Sequence, residues 1–350
     1  MKGKIVILLL AVLSMIALSC SRSGYVKIEG YAQGGTYFVT FNMEGIDKSP
    51  VEVRDSIESI LRRIDFTLSG YNRNSLLSRF NSGEAVVVSE MFSDIYSHAY
   101  GIFRETDGAV DVSFSPLYDM WGFGFKNGSL PSDSQVDSVM NFCGMYRLRQ
   151  TMLDMVGSEI SSEALCLDAS KTFSPQLNYN AIAQGYSCDL VAEYLYSIGV
   201  KDMMVNIGEI FCDGKNPSGM AWTIGIDRPE DGNDQPGAQL QGIFAVPEGP
   251  HGVVTSGNYR KFYVRDGKKY AHTVDPRSGR PVSHNLLSAT VIAENAMLAD
   301  AYATYCMVIG LEEAKAFLES RDDLEGCLVY DRDGEFVTWC SEGLETRKAD

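Results

Sequence analysis

Two Asp-Gly dipeptides constrain the fold of this chain more than any other feature. Asp266-Gly267 separates Lys261–Arg265 from Lys268–Val274, and Asp333-Gly334 separates Cys327–Tyr330 from Glu335–Trp339. Asp-Gly tolerates the positive φ that a two-residue turn demands, so each predicts an antiparallel hairpin. Helical stripes lie elsewhere. Val53, Ile57, Ile60, Leu61 and Ile64 recur at helical spacing over Val51–Ile64, behind Pro50. Phe92, Ile95, Tyr96, Ala99, Ile102 and Phe103 do so between Ser89 and Glu105, with Gly108 as a stop. Further helices are expected over 135–142, 182–198, 295–309 and 312–320, and strands over 203–207, 222–226 and 286–292. Hairpins interspersed with helices predict an α+β fold with a largely antiparallel sheet. No G-x-G-x-x-G follows a strand and no G-x-x-x-x-G-K occurs, so neither a Rossmann nor a P-loop site is expected.

The ends and the charge narrow the function. Lys2 and Lys4 precede an apolar run from Ile5 to Met15, of signal-peptide length and short for a membrane span. Ala17-Leu18-Ser19-Cys20 closes it and looks like a bacterial lipobox, in which Cys20 carries the lipid. An ordinary cleaved signal or a core helix is the plainer alternative. The reading divides the chain into a signal peptide at 1–19, a lipidated cysteine and tether at 20–24, and one catalytic domain at 25–345. It places that domain in the cell envelope, lipid-anchored to a membrane, outside the cytoplasm on the periplasmic side. A net charge of -16 argues against a nucleic-acid partner but not against a nucleotide, since a divalent cation can supply local positive charge. The eight cysteines form no C-x-x-C or zinc-like cluster. Buried free thiols are the simplest expectation, with room for one bridge that the sequence does not specify.

Candidate chemistry concentrates between Thr255 and Thr304. Thr255-Ser256-Gly257, expected just before a strand, offers amides and hydroxyls to phosphate oxygens, or is a plain turn. His272, one of four histidines, stands three residues before Asp275 where a hairpin strand meets a loop. Imidazole titrates near neutrality, which suits a general base for a hydroxyl nucleophile. His98, His251 and His284 read as structural or surface residues. Asp300 and Thr304, four apart on a helix, share one face and form a hard-oxygen pair suited to Mg²⁺; a helix-start aspartate with a back-bonding threonine fits the same pattern. Glycine-spaced aromatics within Asp111–Gly124 fit a flat pocket or plain core packing. Asn178, Asn180 and Gln184 stand where a helix begins, placed to read a ligand or to cap the helix.

Together these segments resemble the ApbE-type FAD:protein FMN transferases, over roughly the whole mature chain. Five blocks match in order: Gln33-Gly34-Gly35-Thr36-Tyr37; Ser69-Gly70-Tyr71-Asn72 with Ser75 to Asn81; Gly108 to Gly124; Ala181-Ile182-Ala183-Gln184-Gly185-Tyr186 with Asp189; and Thr255-Ser256-Gly257 through "HTVDPRSGRPV" to "ADAYAT". The resemblance implies an ApbE-like, T-fold-related α+β domain that binds FAD as substrate. Tyr71, Ala109, Val110, Asp111 and the backbone at Val274 would contact FAD, with Gln33, Asn178 and Gln184 at further contact positions. Mg²⁺ would be held by the Ala181 carbonyl, Asp300 and Thr304. A threonine or serine hydroxyl of an exported or membrane redox protein would attack the FMN phosphorus and release AMP, with His272 as base and Asp275 orienting it.

The chain also departs from the pattern. Gln33 and Gly35 replace the usual methionine and threonine, Asn178 an aspartate and Gln184 a lysine, and Asn206-Ile207-Gly208-Glu209 lacks the second glycine of a "GGE" turn. Two other functions remain open on the sequence alone. Water in place of the protein hydroxyl would make the enzyme an FAD pyrophosphatase, and loss of turnover would leave a flavin-binding lipoprotein.

Overall fold

The computed structural model describes residues 24–123, 130–168, 174–230, 232–233, 235, 237–258, 262–265, 268–271 and 273–347, of which 262–265 and 268–271 are described as backbone only. Cys20, His272 and the Asp266-Gly267 turn lie outside them. In chain order the elements are β1 (Tyr25–Ala32), β2 (Gly35–Asn42), α1 (Pro50–Leu68), α2 (Leu76–Asn81), β3 (Val86–Val87), α3 (Glu90–Glu105), α4 (Ser115–Met120), α5 (Asp133–Met140), β4 (Glu159–Ile160) and α6 (Ala183–Ser197). Next come β5 (Met203–Asn206), β6 (Ile210–Asp213), β7 (Thr223–Asp227), β8 (Leu240–Ala245), β9 (His251–Gly257), β10 (Phe262–Arg265), β11 (Lys268–Ala271), β12 (Val274–Asp275), β13 (Arg280–Pro281) and β14 (Leu286–Ala293). The chain ends with α7 (Ala296–Ile309), α8 (Leu311–Glu319), β15 (Glu325–Arg332), β16 (Glu335–Cys340) and β17 (Thr346–Arg347).

An antiparallel sheet ordered β1-β2-β5-β6-β9-β14-β15-β16 runs through the domain, giving the α+β class expected. Its largest core cluster joins Val39 and Phe41 of β2, Val53, Ile57 and Leu61 of α1, and Val191 and Leu195 of α6. A second cluster packs α7 and α8 on β14 and β15. The sequence-derived helices are found with ends shifted by a few residues. Ser49 caps α1 in a reciprocal capping box with Glu52, and Ser89 caps α3 through the Phe92 amide. Both predicted hairpins form. In the first, however, β11 stops at Ala271, and Val274 instead opposes Pro281 in a separate two-stranded ladder. The turn between those short strands is closed by the Gly279 amide on the Asp275 carbonyl and by Arg277 folded onto the Asp275 carboxylate. Thr255-Ser256-Gly257 is the end of β9 rather than the lead into a strand, paired with Thr290, Ala289 and Ser288. Among the described residues one disulfide, Cys327–Cys340, joins directly opposed residues of the last hairpin, while Cys143, Cys188, Cys212 and Cys306 are free and buried and Cys166 is buried. No helix among the described residues is long and apolar enough to cross a membrane.

Candidate active site

The start of α6 is the point to which separate parts of the chain converge. Asn81 fixes the approach: its side chain both accepts from the Leu177 amide (2.8 Å) and donates to the Leu177 carbonyl (2.7 Å). One residue on, the Asn178 amide donates to the Val112 carbonyl at 2.7 Å, which draws the Ala109–Asp111 loop alongside. The Asn178 carboxamide accepts from the Asn180 amide, and no side chain caps α6. Gln184 reaches the Ile207 carbonyl at 3.2 Å, across Gly208. Gly208 has φ 95°, and a Cβ there would stand 2.3 Å from the Gln184 amide nitrogen, so a single glycine suffices for this turn. Gln33 and Gly34 form the two-residue β1–β2 turn, with φ 52° and 81°, and Gln33 donates to the Ser187 hydroxyl on α6.

Helices α6 and α7 touch at Gly185. A Cβ at that position would lie 2.2 Å from the Ala296 carbonyl oxygen, so no larger residue permits the crossing. Across it, the Gly185 amide donates to Asp300 Oδ2 at 3.2 Å. In a regular helix that amide would bond the carbonyl four residues back, which is Ala181; among the described residues no amide donates to the Ala181 carbonyl. Thr304 lies one turn beyond Asp300, with its hydroxyl 3.4 Å from that of Ser256. Strand alternation turns Thr255 to the opposite face, where it meets the Thr290 hydroxyl at 2.8 Å. Burial is the main force raising Asp300, to about 7, and neighbouring Asp189 adds to it. Asp189 is raised to about 6, again chiefly by burial, although its two oxygens accept from the Ala296 and Met297 amides at 2.8 and 2.9 Å. It therefore caps α7 from the neighbouring helix.

A second group of candidate residues is tied to the approach to α6 through the Asn178–Val112 bond. Ala109 and Val110 are buried, so their backbone is what they offer a ligand. The Asp111 carboxylate accepts from Ser113 twice and from the Met145 amide, and burial raises its pKa against those bonds. Tyr71 is 71% exposed and lies close enough to Tyr118 on α4 to affect its titration. Just beyond α4, Trp121 Nε1 donates to the Gly279 carbonyl at 2.8 Å, linking this group to the β12–β13 turn that holds Val274. Asp275 is engaged by Arg277 through three bonds, and any contact with His272 falls outside the described residues.

The donor set fits a magnesium ion. A buried carboxylate with one hydrogen-bond donor, a carbonyl with its helical partner diverted, and a hydroxyl one turn away are all hard oxygen ligands. No three His, Cys, Asp or Glu side chains converge among the described residues, which disfavours a soft-metal site.

Residues 33–328 match the family model described as the ApbE family. The chain belongs to the ApbE family. It is 32% identical over 321 residues to the FAD:protein FMN transferase of Escherichia coli (strain K12), covering 90% of this chain and 86% of that protein. The enzyme of the same name from Vibrio cholerae is 30% identical over 346 residues, 96% of this chain and 97% of its own. Among solved structures, the flavinyl transferase ApbE of Pseudomonas stutzeri in its apo form superposes with a TM-score of 0.76 at 30% identity, over 91% of this chain and 95% of that one. The flavin transferase ApbE from Vibrio cholerae gives 0.73 at 30%, over 91% and 97%.

The sequence motifs held most of these residues but not the bonds between them. Gly185, Ser187 and Asp189 lie inside or beside the "AIAQGY" block, yet their links to Asp300, Gln33 and the start of α7 need the third dimension. The role of Asn81 was signalled only by its place in the second block.

Proposed function

We propose that this protein transfers the FMN moiety of FAD to a serine or threonine hydroxyl of an acceptor protein, releasing AMP, with Mg²⁺ as cofactor. The observation that carries the reading is the helix crossing at Gly185, whose amide donates to Asp300 and not to the Ala181 carbonyl, next in the chain to the amide-bearing Gln184. The acceptor oxygen forms a bond to the FMN phosphorus, the bond from that phosphorus to the bridging oxygen breaks, and AMP departs with that oxygen. His272, next to the β12 ladder in sequence, takes the hydroxyl proton, and Asp275 is its proposed orienting partner. Ser256 and Gly257 at the end of β9 and the uncapped start of α6 supply donors for phosphate oxygens, whereas Thr255, turned to the other face onto Thr290, does not. Tyr71, the Ala109–Asp111 backbone and Val274 border the flavin, and Gln33 steadies the start of α6 through Ser187. Magnesium, held by Ala181, Asp300 and Thr304, would neutralise the diphosphate and polarise the phosphorus under attack.

The same reading anchors the chain by a lipid on Cys20, with the catalytic domain outside the cytoplasm and an exported or membrane redox protein as acceptor. The cross-strand disulfide supports it, because such bonds persist in oxidising compartments. The test incubates the mature protein with FAD, Mg²⁺ and a candidate exported acceptor, and reads the acceptor's intact mass together with free AMP and FMN. A metal-dependent FMN-sized gain, absent in Asp300→Ala, is expected. AMP and FMN without labelling, beside a transferase that labels the same acceptor, would make the protein a hydrolase. Tight FAD binding without turnover would make it a carrier.

A further inference from the structure

Asp300 and Thr304 are useful only if α7 is held at one rotation about its axis. The Asp189 cap fixes the start of that helix but leaves its roll to contacts farther along. Tyr302 stands two residues from both ligand candidates, about 200° around the helix and so on its reverse side. It is buried, and its hydroxyl donates to Glu105 Oε2 at 2.8 Å. The other oxygen of Glu105 accepts from Arg321 at 2.5 Å, and Arg321 is itself braced by a bidentate pair with Asp323, both bonds at 2.7 Å. The guanidinium lies 5.5 Å from the centre of the Tyr302 ring, and Phe317 packs edge-on against that ring at 5.4 Å.

Glu105 is the last residue of α3, and the segment proposed to border the flavin begins directly after it. Gly108 donates to the Phe103 carbonyl, Ala109 to the Thr106 carbonyl, and Val110 to the Thr106 hydroxyl. The loop that presents Ala109, Val110 and Asp111 is thus bonded onto the helix end that Tyr302 and Arg321 grip. An exposed Arg–Glu pair alone would contribute little. Here one carboxylate is shared between a buried hydroxyl on the metal-bearing helix and an arginine fixed from the α8–β15 connection.

We propose that Tyr302, Glu105 and Arg321 are positioning residues that set the metal-bearing face of α7 against the Ala109–Asp111 loop. This rests on the magnesium and flavin roles proposed above. The test measures FAD affinity by quenching of flavin fluorescence, with and without Mg²⁺, in wild type, Tyr302→Phe, Glu105→Gln and the double variant, alongside thermal midpoints. Tyr302→Phe keeps the ring and its packing, so a folded protein is expected. Its FAD affinity in Mg²⁺ should fall about fivefold or more, a typical coupling between sites, with little change in the metal-free value. The double variant should lose no more than the worse single one, because both remove the same bond. A Tyr302→Phe protein with a lowered midpoint but the full Mg²⁺-dependent gain in affinity would overturn the proposal alone. A wild type whose FAD affinity ignores Mg²⁺ would overturn the metal reading beneath it, and the proposal too.

Discussion

Replacing Gly185 by alanine should damage the site through one methyl group. The added Cβ would lie 2.2 Å from the Ala296 carbonyl oxygen, 2.5 Å from its carbon and 2.7 Å from Met297 Cα, all backbone atoms of α7. Ordinary contact begins near 3.4 Å, so the helices must part by roughly 1.2 Å, the difference between 3.4 and 2.2. That displacement lengthens the 3.2 Å bond to Asp300 and strains the Asp189 cap. Overpacking costs about 1–3 kcal/mol and loss of a bond to a charged acceptor about 1.5–3. Alanine returns about 1 kcal/mol of helix propensity, leaving a net loss of about 1.5–5 kcal/mol. At about 2 °C per kcal/mol the midpoint should fall roughly 3–10 °C. Metal sites tolerate only about 0.2 Å of ligand displacement, so any stabilisation by Mg²⁺ should vanish as well. Differential scanning calorimetry with and without Mg²⁺ reads both effects. Gly101→Ala is the internal control: a Cβ there, mid-helix in α3, meets nothing within 4 Å, and the change should stabilise by about 0.5–1 kcal/mol. A Gly185→Ala protein with the wild-type midpoint and Mg²⁺ response would refute the close-contact argument.

Asp300→Asn should flatten the pH dependence of metal-free stability. With the folded-state pKa raised to about 7, the native protein holds a proton that the unfolded chain releases above about pH 4, so wild-type stability falls as pH rises through that window. Urea titrations at pH 5 and pH 8 should show a drop on the order of a few kcal/mol in wild type and a smaller one in the variant, where raised Asp189 still contributes in the same direction. Mg²⁺ should restore wild type chiefly at pH 8 and leave the variant unchanged; equal pH profiles would refute the assignment. Reducing Cys327–Cys340, or replacing both residues by serine, opens a loop of sequence separation 13 and should remove about 3 kcal/mol while FAD affinity is retained. An unchanged denaturation midpoint under reductant would count against a bridge that stabilises the fold.

What the sequence revealed depended on how local the cause was. Hairpins at Asp-Gly, the stripe from Val53 to Ile64 and the four-residue spacing of Asp300 and Thr304 are written within a few residues, and each is found in the structure. The β1–β2 turn was harder to see, because Gln33-Gly34 carries a weaker turn signal than Asp-Gly. Val274 escaped its expected strand because the neighbouring Asp275–Arg277 contact closes a turn of its own. Thr255 and Ser256 look equivalent in sequence, yet pleating sends their hydroxyls to opposite faces. Contacts between distant segments, such as Asn81 with Leu177 or Tyr302 with Glu105, leave no local trace.

One buried carboxylate, Asp300, and two half-buried ones, Asp111 and Asp189, surround the candidate site, and their hydrogen-bond donors distinguish their work. A carboxylate has about four acceptor positions. Asp111 takes three bonds, two from Ser113 and one from Met145; its side chain shapes the loop, whatever its backbone offers a flavin. Asp189 takes two amides at the start of α7, where the helix dipole also favours negative charge. Asp300 receives one long bond, from an amide diverted from Ala181, and has the smallest compensation of the three for a charge in an apolar setting. A charge that poorly supported either keeps its proton or takes a cation. A protonated Asp300 would lower the cost of its burial in a metal-free fold, and an ionised one would favour a divalent ion beside this carboxylate and not the other two. The feature that makes Asp300 costly to bury without a cation is the same one that marks it as the proposed ligand.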